Sequence, residues 1–360
     1  MDRTLLVTIA IIIFFGFLLL ASASSFASIP VFGHPYGYFW HQLWAGFGLG
    51  LMAFTIIYFT PLPYIERLSP WIFYGSLVLL ILVLFPQLGV SFGGARRWLA
   101  IGSFSFQPAE ITKLSFLVFL ASWFSKKPGD VVNFRKTFIP FLLFLVLIGG
   151  LIMLEPDMGT VVVIIALALA IYFAAGGSIK HISIIALVSI LASILLISFS
   201  NYRLDRIQAF LNTSRDPQGV SYHIRQSLTA IATGGIFGKG LGLGRLKMSR
   251  LPEPMSDTIF SVLAEETGLV GVLLMLALFT TFFLRALKVS VRFPRVFGKL
   301  AGIGIASWIF FQMLVHVASV SGLIPFTGIP LPLVSYGGTH YLVTMASLGL
   351  LFQITKKITA

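Results

Sequence analysis

The sequence predicts an all-α, polytopic integral membrane protein with ten transmembrane helices, both termini cytoplasmic and one long extracytoplasmic loop at about residues 201–257. Three observations carry this expectation. Hydrophobic residues make up 57% of the 360 and charged residues only 10%, whereas a soluble domain carries about 25% charge. Ten apolar runs recur at about 5–29, 41–60, 70–88, 109–125, 138–154, 158–175, 181–200, 258–284, 300–322 and 339–355, most of them near the ~20 residues that cross a bilayer as a helix. The short alternating segments of a membrane β-barrel are absent. Residues 1–360 therefore read as a single membrane domain. The absence of Cys excludes disulfides, Cys-ligated metals and thiol catalysis.

The first run, Leu5–Leu20 followed by Ala21-Ser22-Ala23, resembles a signal peptide. It is longer than a signal core and begins without net charge (Asp2, Arg3), so it reads as a retained span. Placing the N-terminus inside puts Arg67, Lys126, Lys127, Arg135, Lys136, Lys180, Arg285 to Lys299, Lys356 and Lys357 in cytoplasmic loops. That agrees with the positive-inside rule. It also accounts for much of the +13 net charge without nucleic acid. The opposite face carries Arg96 and Arg97, then Glu155 and Asp157, then a long basic loop containing Arg203, Arg206, Arg215, Arg225, Lys239, Arg245, Lys247 and Arg250. A basic outer surface suits an anionic, phosphate-bearing lipid. The competing reading is a solvated loop.

Taken in order, the outer segments carry the polar chemistry. Gly93-Gly94-Ala95-Arg96-Arg97-Trp98 pairs a permissive backbone with two guanidinium groups that suit phosphate, and Trp98 suits a sugar face or the headgroup level. Gln107-Pro108-Ala109-Glu110-Ile111-Thr112-Lys113 opens the fourth span. Glu110 and Lys113 share one helix face there, either as an intramembrane ion pair or as a polar cavity wall. In Glu155-Pro156-Asp157, Asp157 is placed to cap the next helix, and Glu155 has no such explanation. Ile224, Leu228 and Ile231 form a stripe expected to lie on the membrane. Gly234–Gly244 is either a flexible turn or a backbone cradle for pyrophosphate, with Lys239 as a substrate-binding candidate. Lys239 is followed by Gly240, so this is no nucleotide P-loop. Leu251–Phe260 leads into the eighth span, where Ser256 or Asp257 is expected as helix cap. Ser261, Ala264, Gly268 and Gly271 continue the Asp257 face, with the adjacent acids Glu265 and Glu266 beyond. The six His residues show no metal-binding spacing.

Together these segments resemble the SEDS family of bacterial cell-wall proteins, the RodA/FtsW group. The resemblance rests on Gly94–Trp98, Gln107–Lys113, Glu155–Thr160, Tyr222–Gly244, Leu251–Gly271 and Ser321–Gly338, in that order. The short N-terminus and the stretch Gly328–Leu333 are more similar to the RodA (elongation) branch than to the FtsW (division) branch. The resemblance implies a peptidoglycan glycosyltransferase that polymerises lipid II at the outer face of the bacterial cytoplasmic membrane. It implies work beside a class B penicillin-binding protein and other elongation-complex proteins. Asp257 matches the family's essential aspartate, and Arg97, Trp98, Glu110, Lys113 and Asp157 match its cavity positions. His316 stands where the family usually has Asn, and Ser256-Asp257-Thr258 replaces the commoner Thr-Asp-Phe.

Such a transfer needs a base for the acceptor hydroxyl and positive charge for the leaving pyrophosphate. Asp257 is the expected catalytic base. The alternative role for it is to hold a divalent cation, Mg or Mn, that carries the leaving phosphate. Arg96, Arg97, Lys113 and basic residues of the long loop are the candidates for the charge, and no nucleotide is needed because the donor is already activated. A lipid II flippase and a non-catalytic scaffold are the rival classes. A flippase needs charge toward the midplane and inner half, whereas the motifs here crowd the outer boundary.

Overall fold

The computed structural model describes residues 2–92, 95–102, 104–198, 204, 207–208, 210, 220–248 and 251–356. Gly93, Gly94, Arg203, Arg206, Arg215, Arg250 and Lys357 lie outside the described residues. Each apolar run of the sequence falls on a helix. The helices are α1 Arg3–Phe32, α2 Gly37–Phe59, α3 Leu62–Val83, α4 Pro108–Ser125, α5 Phe134–Leu154, α6 Met158–Ala174, α7 Ile179–Ser198, α8 Val220–Gly234, α9 Ile259–Val291, α10 Val296–Val320 and α11 Gly338–Lys356. By length and composition, α1, α2, α3, α5, α9 and α10 are the 6 helices able to cross a membrane among the described residues, and α6 and Ile179–Leu195 are shorter apolar helices.

Burial separates centre from periphery. In the most apolar stretch of α10, 72% of residues are buried, against 17% in α2. The outer helices therefore turn Trp44, Met52, Ile56 and Phe59 outward, as lipid-facing helices do. The inner helices α4 and α11 instead bury Glu110, Lys113, Ser115, His340, Thr344 and Gln353. Polar groups at that depth are stable only with partners.

Four expectations are corrected. The chain is not all-α: β1 Gly89–Phe92, β2 Ala95–Ile101 and β3 Phe104–Phe106 form an antiparallel sheet against α3 and α4. The third apolar run is displaced, since α3 starts at Leu62 behind Pro61 and ends at Val83, and the expected tail, residues 84–88, forms turns ahead of β1. In the sheet Val90 pairs with Trp98 but Ser91 pairs with Arg96, so Arg97 is the extra residue of a β-bulge. A bulge re-aims its side chain.

Helix α8 splits the Ile224/Leu228/Ile231 stripe, with Ile224 buried and Ile231 half-buried against the protein. Its buried face is Ser221, Ile224, Ser227, Ala230 and Gly234, while Leu228 is exposed. Small residues face α9 because the two backbones touch: a Cβ on Gly234 would sit 1.9 Å from the Ala264 carbonyl oxygen.

The small-residue face of α9 does not run on past Ala264. At Gly268 the backbone leaves helical geometry (φ 65, ψ −164), a conformation that only glycine takes readily. The glycine-rich turn splints this kink. Lys239 N donates to Glu265 O (3.0 Å) and Gly240 N to Glu266 O (3.0 Å), while Leu269 N and Val270 N donate back to Gly235 O and Ile236 O (2.9 and 3.1 Å). Backbone groups released by the broken helix thus find partners in the turn, which buried peptide groups require.

Candidate functional site

The bulge at Arg97 sends its guanidinium across to the end of α5. Nε donates to the Glu155 carbonyl (2.9 Å) and Nη2 to the Pro156 carbonyl. Carbonyls at a helix C-terminus carry negative partial charge, so a cation there is stabilised. Arg97 is thereby engaged with protein, while Arg96 is exposed. Trp98 is half-buried on the same strand.

Asp157 caps α6. Its Oδ1 accepts from Thr160 N (3.0 Å), and Oδ2 accepts from Thr160 Oγ1 (2.8 Å) and Gln107 Nε2 (3.4 Å). Glu155 is fully buried and neither carboxyl oxygen has a hydrogen-bond partner. Burial, reinforced by the Asp157 charge and partly opposed by Arg97, pushes its pKa up to about 9. Glu155 is therefore protonated at neutral pH.

Deeper in the bundle, Lys113 Nζ contacts Glu110 Oε1 at 2.8 Å and Gln312 Oε1 at 2.9 Å. It also lies 5.4 Å from the Trp308 ring centroid. His340 Nδ1 meets Glu110 Oε2 at 3.0 Å. The ion-pair reading of Glu110 and Lys113 is thus realised within a buried network, with Gln312, Trp308 and His340 as members that sequence reasoning missed. Spacing offered only a weak signal for them: Trp308, Gln312 and His316 recur every fourth residue along α10.

Asp257 sits on the irregular segment before α9. Thr258, not Ser256 or Asp257, holds the N-cap position, and its hydroxyl donates to Pro252 O (2.8 Å) and Glu253 O (3.2 Å). The segment is clamped to the loop between α10 and α11: Tyr336 N donates to Met255 O (2.8 Å) and Ser335 Oγ to Ser256 O (2.7 Å). The Asp257 carboxylate lies against Gly328, where an added Cβ would be 3.1 Å from Oδ2.

Residues 326–331 of that loop form the common surface. A Cβ on Gly159, beside the Asp157 cap, would meet Ile329 at 2.7 Å. His316 Nδ1 and Gln312 Nε2 donate to the consecutive carbonyls of Ile329 (2.6 Å) and Pro330 (2.9 Å). The structure thus brings the Asp157-capped helix, Asp257 and the Lys113 network onto one loop.

Lys239 does not join them. It is paired with Glu265 (2.7 Å), and the turn's amides are spent on carboxylates: Gly242 N on Glu266 (3.0 Å) and Arg245 N on Glu265 (3.0 Å). Lys247 and Ser22 also bond Glu266. The turn is neither a free pyrophosphate cradle nor a slack surface loop, because two buried acids must be neutralised and hydrogen-bonded. For the cation role of Asp257, no group of three or more His, Asp or Glu side chains is placed to hold a metal among the described residues.

A family model described as cell cycle protein, FtsW/RodA/SpoVE, matches residues 2–360. The chain is 34% identical over 358 residues to stage V sporulation protein E of Bacillus subtilis, covering 99% of this chain and 97% of that one. It is 33% identical to the probable peptidoglycan glycosyltransferase FtsW of Trichlorobacter lovleyi, covering 98% and 93%. Among solved structures, a chain from a peptidoglycan synthase complex described as coordinating polymerization and crosslinking superposes with a TM-score of 0.81 at 29% identity, covering 99% and 98%. Rod shape determining protein RodA of Thermus thermophilus superposes with a TM-score of 0.74 at 28% identity, covering 100% and 98%.

Proposed function

The chain belongs to the FtsW/RodA/SpoVE family of cell cycle proteins, and on that premise we propose that it is a peptidoglycan glycosyltransferase of the bacterial cytoplasmic membrane. It polymerises lipid II at the outer face and crosses the membrane ten times with both termini inside. The observation that carries the reading is the convergence of Asp257, the Asp157-capped helix and the Lys113 network on residues 326–331. A relative named as a peptidoglycan glycosyltransferase supports the reaction class.

In the reaction, the acceptor sugar hydroxyl attacks the anomeric carbon of the donor as the bond to pyrophosphate breaks. Asp257 takes the hydroxyl proton, and the pyrophosphate leaves with its negative charge. Exposed Arg96 is the side chain best placed by its accessibility to meet that charge, and Arg97 acts through the backbone it holds. The base role is the one adopted for Asp257; a divalent cation, Mg or Mn, shared between this carboxylate and the substrate pyrophosphate is the alternative.

Crosslinking falls to a class B penicillin-binding protein. This follows the pairing of polymerization and crosslinking in the synthase complex that the chain resembles. Elongation is the finer proposal and rests on Gly328–Leu333. Relatives named for division and sporulation make those branches the competing outcomes.

The test is purified protein with lipid II as sole substrate, with and without a transpeptidase-dead class B partner, read as glycan on a gel. Absence of glycan in both arms overturns the reading. Lipid II translocation without polymer would indicate a flippase. Rescue of elongation-depleted rather than division-depleted cells tests the branch.

A further inference from the structure

We propose that Gln312 is a positioning residue for Asp257, holding by one side-chain amide both the buried cation and the loop on which the Asp257 carboxylate lies. The proposal rests on the glycosyltransferase reading for its catalytic consequence, but its structural half stands independently.

The amide is used at both ends. Gln312 Oε1 accepts from Lys113 Nζ (2.9 Å) and from Trp308 Nε1 (2.8 Å), and Nε2 donates to Pro330 O (2.9 Å). Two donors on one side and a carbonyl on the other fix which way the amide points, since a flip would set Nε2 against two N–H groups and oxygen against oxygen. Gln312 is fully buried, so water cannot replace a lost partner.

The loop end of the contact leads directly to the carboxylate. His316, one turn on from Gln312, holds the preceding carbonyl, Ile329 O, at 2.6 Å. Two side chains on one face of α10 therefore grip two consecutive peptide carbonyls. The next residue back is Gly328, whose left-handed φ of 68 and missing side chain let Asp257 Oδ2 approach. A change in how far Pro330 stands from α10 is carried to Asp257 through two residues of backbone. Because Lys113 shares the same amide, its position and that of Asp257 are set together.

A glutamine is the side chain that fits these demands. Glutamate at 312 keeps the acceptor contacts but sets a carboxylate oxygen against Pro330 O and competes with Glu110 for Lys113. Leucine leaves the Trp308 N–H and the Pro330 carbonyl without their present partner.

The test uses the natural absence of cysteine. Thr327 is half-buried and its hydroxyl has no hydrogen-bond partner, so Thr327→Cys places a single thiol on the loop at little structural cost. In purified protein, the maleimide labelling rate of this thiol is compared among Gln312, Gln312→Glu and Gln312→Leu. Release of the loop predicts labelling about tenfold faster in both variants, through greater population of open states. Unchanged labelling in both overturns the proposal whatever the activity.

In parallel, lipid II polymerisation per folded molecule should show kcat reduced about tenfold or more with KM within about threefold, because Gln312 is fully buried and acts through the loop it holds. Faster labelling with unchanged kcat overturns the positioning role. A wild-type protein that makes no glycan with its partner overturns the glycosyltransferase reading, while the labelling comparison still decides whether Gln312 holds the loop.

Discussion

Lys113 and Glu110 form a buried ion pair, Nζ to Oε1 at 2.8 Å, one turn apart on α4. Removing only one partner leaves a buried charge. Lys113→Met should therefore lower stability by about 3–5 kcal/mol and abolish glycan synthesis. Glu110→Leu/Lys113→Met should recover the melting temperature, because a buried pair is replaceable by apolar groups, but not the activity. Thermal unfolding in detergent and the glycan gel measure the two separately. An active double variant would reduce the pair to a structural role.

Asp257→Ala and Asp257→Asn should both abolish polymerisation with unchanged melting. The segment is clamped through Met255 and Ser256 backbone contacts, and Thr258 holds the N-cap position of α9. Retention of near wild-type polymer by either variant removes Asp257 as the base. Gly328→Ala should lower the rate as well, since the new Cβ would press on Oδ2 from a strained φ of 68.

The two arginines should separate. Arg96 is exposed, and Arg96→Ala should raise the lipid II concentration for half-maximal rate about tenfold or more, as expected for loss of a charge-assisted hydrogen bond. Arg97→Gln should act mainly on stability, because its guanidinium holds the Glu155 and Pro156 carbonyls. A Michaelis series beside melting curves distinguishes the two. Equal KM in Arg96→Ala assigns it to the solvated surface.

Glu155 should make stability depend on pH. Its folded pKa of about 9 lies above the ordinary 4.5, so the folded state binds the extra proton between those values. The contribution is complete below about 4.5 and is lost as pH rises through 9. Glu155→Gln, which stays neutral, should flatten the fall in melting temperature between about pH 6 and pH 9.5. An unaltered slope would assign the fall to other groups.

The helices could be read from the sequence because lipid burial acts locally. A run such as 138–154 is apolar along its whole length, and that fact needs no knowledge of its neighbours. The Glu110–Lys113 contact could be read for the same reason, since helix geometry alone brings residues three apart together. The Asp157 cap is likewise a property of the three residues that follow it. The family resemblance named Asp257 because its motif is contiguous in the chain.

Tertiary structure alone decided which polar groups meet across long separations. Glu110 faces His340, and Lys113 faces Gln312, through contacts spanning 230 and 199 residues. No periodicity encodes such pairs. The glycine-rich turn was legible as close-approach backbone, but not as the splint of a kink at Gly268. Whether its amides meet a phosphate or Glu265 and Glu266 depends on what is packed against them. The sheet escaped notice because strands of 4, 7 and 3 residues carry too little alternation to stand out beside an apolar span, and with it went the bulge that turns Arg97 from the expected ligand toward the backbone of its own protein. Apolar patterning reports how far each segment is removed from water; which buried donor meets which acceptor is settled only when distant segments pack and every polar group removed from water must be satisfied.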